Sequence, residues 1–179
     1  RLVGSEMCIR DSSYTNDQNL IDNFHKKVRR GRSAALNMVI TETGAGKAVG
    51  QVLPELKGKL TANAVRVPTP NVSLAIINLR FAKDITLEEL NDFLRQKAFH
   101  SDLKEQIGFT NSPEVVSTDF VGDRHAGIID SAATIVNGNK CVLYVWYDNE
   151  FGYTAQLLGL AKEMVGLTYQ RYPNFSEST

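Results

Sequence analysis

From Asn71 to Phe81 the chain is dominated by apolar and β-branched residues, with no Gly and no Pro, a composition that predicts a strand. One face would carry Ser73, Ala75, Ile77, Leu79 and Phe81, and the other Val72, Leu74 and Ile76, then Asn78 and Arg80. A strand apolar on both faces for most of its length belongs in a sheet covered on both sides, or nearly so. Pro68 and Pro70 precede it and force an extended, stiff lead-in. Lys140 to Tyr147 is a second run of this kind. Weaker strand patterns span Ala34–Thr41, with Leu36, Met38 and Ile40 on one face, and Ala62–Val67. Between Phe109 and Asn139, short strands and turns are broken at Pro113, Gly122-Asp123 and Asn137-Gly138.

Three helices fit the remaining pattern. One starts at Thr43-Gly44, shows Val49, Val52 and Leu53 on its apolar face, and meets Pro54. Thr86 opens the second as a capping box, because Glu89 lies three residues on, and Leu87, Leu90, Leu94 and Ala98 form its stripe. Asp148 or Asn149 caps the third, which runs to about Tyr169 and is expected to bury Leu157, Leu160, Ala161, Met164 and Val165. Clustered strands and few helices argue an α+β fold, with helices packed on a mostly antiparallel or mixed sheet. No Gly-x-Gly-x-x-Gly follows a strand, so no Rossmann domain is expected. The expected domain covers residues 13–171, and residues 172–179 read as a polar tail. Residues 1–12 match nothing that follows and read as a non-native leader.

Composition adds little beyond a globular class, but charge is uneven. Residues 1–83 hold 13 Lys and Arg against 6 Asp and Glu, a balance of +7, and residues 84–179 hold 7 against 14, a balance of −7. An anionic ligand for the first half is one reading, and a merely dipolar molecule is the other. Lys26 to Arg32 packs five cations into seven residues. A solvated loop is the plainer account; a polyanion-binding module is the alternative, and without interleaved aromatics nucleic acid is the weaker partner. Thr43-Gly-Ala-Gly-Lys-Ala lacks the spacing of a phosphate-binding P-loop, yet backbone N–H groups at a helix start still face any anion placed there. Arg66, just before the Pro68–Pro70 lead-in, is a second anion candidate. His125 stands with no second His or Cys near it and reads as a surface histidine, so no metal site is expected. Two cysteines, Cys8 and Cys141, define neither a disulfide framework nor a zinc site. With no run near ~18–20 apolar residues, a membrane is not expected and a reducing cytoplasm is the default.

An ordered set of segments resembles the catalytic domain of phosphorylating glyceraldehyde-3-phosphate dehydrogenase. These are Ser13-Tyr-Thr-Asn-Asp-Gln, Arg29-Arg-Gly-Arg, Thr43-Gly-Ala-Gly-Lys-Ala-Val-Gly, Leu53-Pro-Glu-Leu-Lys-Gly-Lys-Leu60, Arg66-Val-Pro-Thr-Pro-Asn-Val-Ser73 and Trp146-Tyr-Asp-Asn-Glu-Phe-Gly-Tyr153. The resemblance runs from about Ser13 to Tyr169. It implies oxidation and phosphorylation of glyceraldehyde 3-phosphate to 1,3-bisphosphoglycerate, through a cysteine thioester with a histidine base and hydride transfer to NAD. It implies that Thr15 and Arg66 bind the substrate phosphate. Thr43 and Gly44 would bind the incoming inorganic phosphate, with Arg30 as an added cation and Arg32 as the alternative to Arg30, and Arg66 could serve both sites. Arg66 and the helix start at Gly44 would converge on a shared pocket. Asn149 would hold the nicotinamide carboxamide, and Tyr153 would lie beside the ring. The ribose-facing residue would fall in the dinucleotide domain, so NAD and NADP stay open. The loop from Tyr14 to Arg32 would lie against a neighbouring subunit's cofactor in a homotetramer.

Two departures go with the resemblance. The family's Ser-Cys-Thr-Thr-Asn-Cys motif is absent, and Ser12 stands where the histidine should precede Ser13. Neither cysteine substitutes: Cys8 lacks the flanking motif, and Cys141 falls in a buried-looking strand. The chain therefore reads as a fragment with phosphate pockets, no catalytic residue of its own, and no turnover alone. The sister erythrose-4-phosphate dehydrogenase is the alternative within the class. It tends to have Cys and Trp where this chain has Tyr147 and Phe151, and it lacks the Thr-Gly-Ala-Gly-Lys pattern.

Overall fold

The computed structural model describes residues 7–9, 13 and 18–167. Thr15, Tyr14 and the tail from residue 172 lie outside the described residues. Seven strands and three helices follow the order β1 (Met7–Ile9), β2 (Val39–Glu42), α1 (Ala45–Val52), β3 (Leu60–Arg66), β4 (Ser73–Arg80), α2 (Leu87–His100), β5 (Ile107–Thr110), β6 (Gly127–Asn137), β7 (Lys140–Tyr147) and α3 (Phe151–Met164) among the described residues. They form a three-stranded sheet, β1-β3-β2, and a four-stranded sheet, β4-β7-β6-β5. β1 on β3 and β5 on β6 are parallel, and the other pairs are antiparallel. The expected α+β class with a mixed, mostly antiparallel sheet is what forms.

The two strongest sequence patterns pair with each other. β4 and β7 run antiparallel in unbroken register from Ser73 opposite Tyr147 to Arg80 opposite Lys140. Both are covered on both faces or nearly so: Ser73, Ala75, Cys141 and Leu143 are buried, and most of their neighbours are half-buried. α2 closes one face. Its capping box is complete, with Glu89 N–H donating to Thr86 Oγ1 at 3.1 Å and Thr86 N–H donating to Glu89 Oε2 at 2.8 Å. Leu90 from α2 reaches Cys141 and Leu143, with Ile77 and Leu94 around them. Ala98 is also buried, whereas Leu87 at the head of the predicted stripe is exposed. α1 ends at Val52, ahead of Pro54, as its sequence predicts.

Two expectations are corrected. Residues 34–36 form a turn instead of a strand, closed by Asn37 Nδ2 donating to Ser33 O at 2.9 Å, so pairing begins only at Val39. The covered face of β2 is the opposite one: Val39 is buried, while Leu36, Met38 and Ile40 are exposed. In α3, Leu157, Leu160, Met164 and Val165 are more than half exposed, and Ala161 is exposed too. The helix touches the body through its first two turns, where buried Gly152 approaches His125 O and Gln156 Nε2 donates to Glu105 O and Arg124 O. Its later apolar residues stay exposed, and Gly166 at φ 68° stops it at Met164, short of Tyr169. Periodicity locates an apolar stripe but not what covers it.

Candidate active site

The β2–β3 ladder sets the geometry. Val39 pairs with Arg66 and Thr41 with Ala64. Because opposed residues share a face and alternate along each strand, Arg66, Ala64, Val39 and Thr41 lie on one face. It is the covered one, since Ala64 and Val39 are buried. Arg30 joins it: its Nε donates to Thr41 Oγ1 at 3.0 Å. α1 sits over the far end of the same face, where a Cβ on Gly46 would lie 3.5 Å from Ala62 Cβ. Gly44 is the residue before α1, and Thr43 Oγ1 accepts from Ala45 N–H at 3.2 Å.

Arg66 and the Thr43–Gly44 helix start therefore occupy one face at opposite ends of a short ladder. Three residue steps separate Val39 from Glu42, about 10 Å along a strand. Arg66 is half-buried. Its Nη1 donates to Ser13 O at 3.1 Å, where Ser13 bridges Val67 and exchanges a 2.7 Å hydrogen bond with Ser73. One of the five N–H groups of a guanidinium is thereby used. Thr15 lies two residues past Ser13 in sequence, outside the described residues. Arg32 turns away from this face to an exposed ion pair with Asp22 at 3.3 Å. Lys27 pairs with Glu42 at 3.4 Å, so the dense cationic loop is partly neutralised by its own neighbours.

At the other sheet, β7 delivers Asp148 and Asn149 to the start of α3. Asp148 is 2% exposed. Its Oδ1 accepts from Glu150 N–H at 3.0 Å and Phe151 N–H at 2.8 Å, so it caps the helix as one of the two expected candidates. Its Oδ2 accepts from Asn71 Nδ2 and Gly122 N–H, both at 2.9 Å. Burial pushes this carboxyl up, but the four hydrogen bonds outweigh it and hold the group below the usual carboxylate range. The link to Asn71 and Gly122 was not legible in sequence. Asn149, half-buried between these anchors, has an Oδ1 shielded from water with no hydrogen-bond partner among the described residues. Tyr153, one turn into α3, is 70% exposed.

His125 is half-buried at the surface, its Nδ1 lying 2.7 Å from Asp123 Oδ1 in an open cleft beside Phe99 and Phe109. Cys141 is 3% exposed, and burial pushes its thiol up, against a smaller opposing effect of a hydrogen bond from the Leu79 backbone. A neutral buried thiol is inert. Iodoacetamide at neutral pH is expected to leave Cys141 unmodified in the native chain and to alkylate it fully in denaturant, as read by peptide mass mapping. Native-state modification at Cys141 would contradict its burial.

The described residues thus build a mixed-sheet α+β domain with helices set at the strand ends. Comparison with known proteins makes this specific. Residues 6–149 match the family described as glyceraldehyde 3-phosphate dehydrogenase, C-terminal domain, and the chain belongs to that family. It is 65% identical over 161 residues to a glyceraldehyde-3-phosphate dehydrogenase-like protein of Pseudomonas aeruginosa, covering 90% of this chain and 35% of that relative. It is 46% identical over 156 residues to glyceraldehyde-3-phosphate dehydrogenase of Borreliella burgdorferi, covering 86% and 46%. It is 47% identical over 150 residues to glyceraldehyde-3-phosphate dehydrogenase 1 of Bacillus subtilis, covering 83% and 44%. The chain thus spans less than half the length of each of these relatives.

Proposed function

We propose that this chain is the phosphate-handling domain of an enzyme that oxidises and phosphorylates glyceraldehyde 3-phosphate to 1,3-bisphosphoglycerate in the cytoplasm. The observation that carries the reading is the common face of β2 and β3, with Arg66 at one end and the Thr43–Gly44 helix start at the other. The reaction handles two phosphate groups, one on the substrate and one incoming. Arg66 and the Thr43–Gly44 helix start offer one group to each. Arg66, with Thr15, holds the substrate phosphate by charge-assisted hydrogen bonds. Thr43 and the backbone N–H groups beyond Gly44 hold the attacking phosphate, and Arg30 adds a cation from the same face.

Asn149 and Tyr153 are proposed to face the nicotinamide. The unpartnered Oδ1 of Asn149 fits a carboxamide, whose N–H can satisfy an orphaned acceptor. When bound, NAD (or NADP) supplies the hydride acceptor. The side chains of Leu20, Ile21, Phe24 and Val28 are 64–88% exposed along one loop. Such a surface supports contact with a neighbouring subunit in a homotetramer.

The test has two arms. The 179-residue chain alone is expected to show no glyceraldehyde 3-phosphate oxidation, because it carries neither the cysteine motif nor the histidine that the resemblance requires. A longer form carrying both is expected to reduce NAD or NADP only when glyceraldehyde 3-phosphate and inorganic phosphate are both present. Steady turnover without phosphate would overturn the phosphorylating reading, and turnover by the chain alone would overturn the assignment of catalysis elsewhere.

A further inference from the structure

Asp148 does more than cap α3. Its two carboxylate oxygens serve different segments. Oδ1 takes the N–H groups of Glu150 and Phe151 and so fixes the backbone on the far side of Asn149. Oδ2 takes Asn71 Nδ2, from a residue 77 positions away, and Gly122 N–H. The β4–β7 register explains the meeting: Ser73 opposes Tyr147, so the residues leading into β4 lie beside those leaving β7.

From Asn71 the hydrogen bonds continue toward the anion face. Asn71 Oδ1 accepts from Val72 N–H at 2.7 Å. The next residue, Ser73, is fully buried, and its hydroxyl meets that of Ser13. Ser13 O in turn accepts from Arg66. A single buried carboxylate therefore joins the backbone around Asn149 to the strand lead-in that seats Arg66. We propose that Asp148, acting through Asn71, is a positioning residue that couples the Asn149 side of the site to its Arg66 side. The inference rests on the phosphate reading above, and it assigns Asp148 no contact with any ligand.

The pairing chemistry supplies a selective test. In Asp148→Asn an Oδ1 can still accept at the helix start, but an amide NH2 then faces the NH2 of Asn71 and the N–H of Gly122, and donors oppose donors. Asn71→Ala removes the link and keeps the carboxylate with its three backbone partners. The exchanged pair, Asp148→Asn with Asn71→Asp, restores the hydrogen bond in the reverse direction and leaves only Gly122 unmet.

The experiment titrates inorganic phosphate into the 15N-labelled 179-residue chain and follows amide shifts at Ala45, Arg66, Asn149 and Phe151. In the native chain Arg66, Asn149 and Phe151 are expected to titrate with one dissociation constant, and Ala45 with that of its own site. In Asp148→Asn and in Asn71→Ala the response at Asn149 and Phe151 falls about fivefold or more, and the exchanged pair recovers it to within about twofold. Should Asp148→Asn fail to fold, Asn71→Ala decides alone. Undiminished response at Asn149 in these variants, no recovery in a folded exchanged pair, or a native response confined to Ala45 and Arg66 overturns the coupling and leaves the phosphate reading standing. No response at Ala45 and Arg66 overturns both.

Discussion

Replacing Arg66 by alanine is expected to weaken binding of inorganic phosphate at the Arg66 site about tenfold to a hundredfold, which is the loss of one charge-assisted contact worth about 1.5–3 kcal/mol. Arg66 is a half-buried cation of the covered β2–β3 face, so its contact with an anion is screened less than that of an exposed cation. Its one hydrogen bond to Ser13 O leaves the rest of the guanidinium fork for an oxyanion. Arg66→Lys keeps the charge but loses the bidentate fork, and an intermediate affinity is expected. Arg32→Ala is the control. Arg32 is exposed and already paired with Asp22, a contact worth about 0–1 kcal/mol at most, so its removal leaves phosphate affinity within about twofold. Calorimetric titration at fixed ionic strength reads all three. Equal losses for Arg66→Ala and Arg32→Ala would mean that only diffuse positive charge matters, as in a polyanion-binding loop.

The parts of this fold legible in sequence are those whose signal is local and dense. β4 and β7 announced themselves through apolar runs on both faces, and the Thr86–Glu89 box fixed the start of α2 to the residue. What misled was the step from periodicity to burial. Leu36, Met38 and Ile40 alternate as a strand should, yet the turn at residues 34–36 interrupts them and Val39 is the residue that packs inward. The stripe of α3 is real as a pattern, but its leucines stay exposed, and among the described residues Gly152 and Gln156 in its first turns are held against the body.

The candidate site divides in the same way. Residue type and resemblance pointed to Arg66, Thr43 and Gly44. Their placement at the two ends of one face depends on the β2–β3 register, which no local pattern encodes. Asp148 was visible as a helix cap. Its bond to Asn71 was not, because nothing in the chain marks a partner 77 residues away until β4 and β7 are set side by side.

Leu143→Ala carries the largest stability effect, with an expected cost of about 2–5 kcal/mol against a total of about 5–15 kcal/mol for a typical domain. Leu143 is 7% exposed, opposes Ile77 across the β4–β7 ladder, and meets Leu90 of the capped helix. Truncation there empties space among three elements that their hydrogen bonds hold in place, so the cavity cannot collapse freely. Urea unfolding followed by far-UV circular dichroism should show the midpoint falling while the slope stays constant, the mark of lost stability without a changed unfolded state. Leu157→Ala removes the same atoms from an exposed site on α3 and is expected to stay within about 0.5 kcal/mol of the parent. The contrast tests the burial map itself: equal costs at the two leucines would place α3 against the body along its length, and with it would go the reading that this helix is held through Asp148 and its first turns.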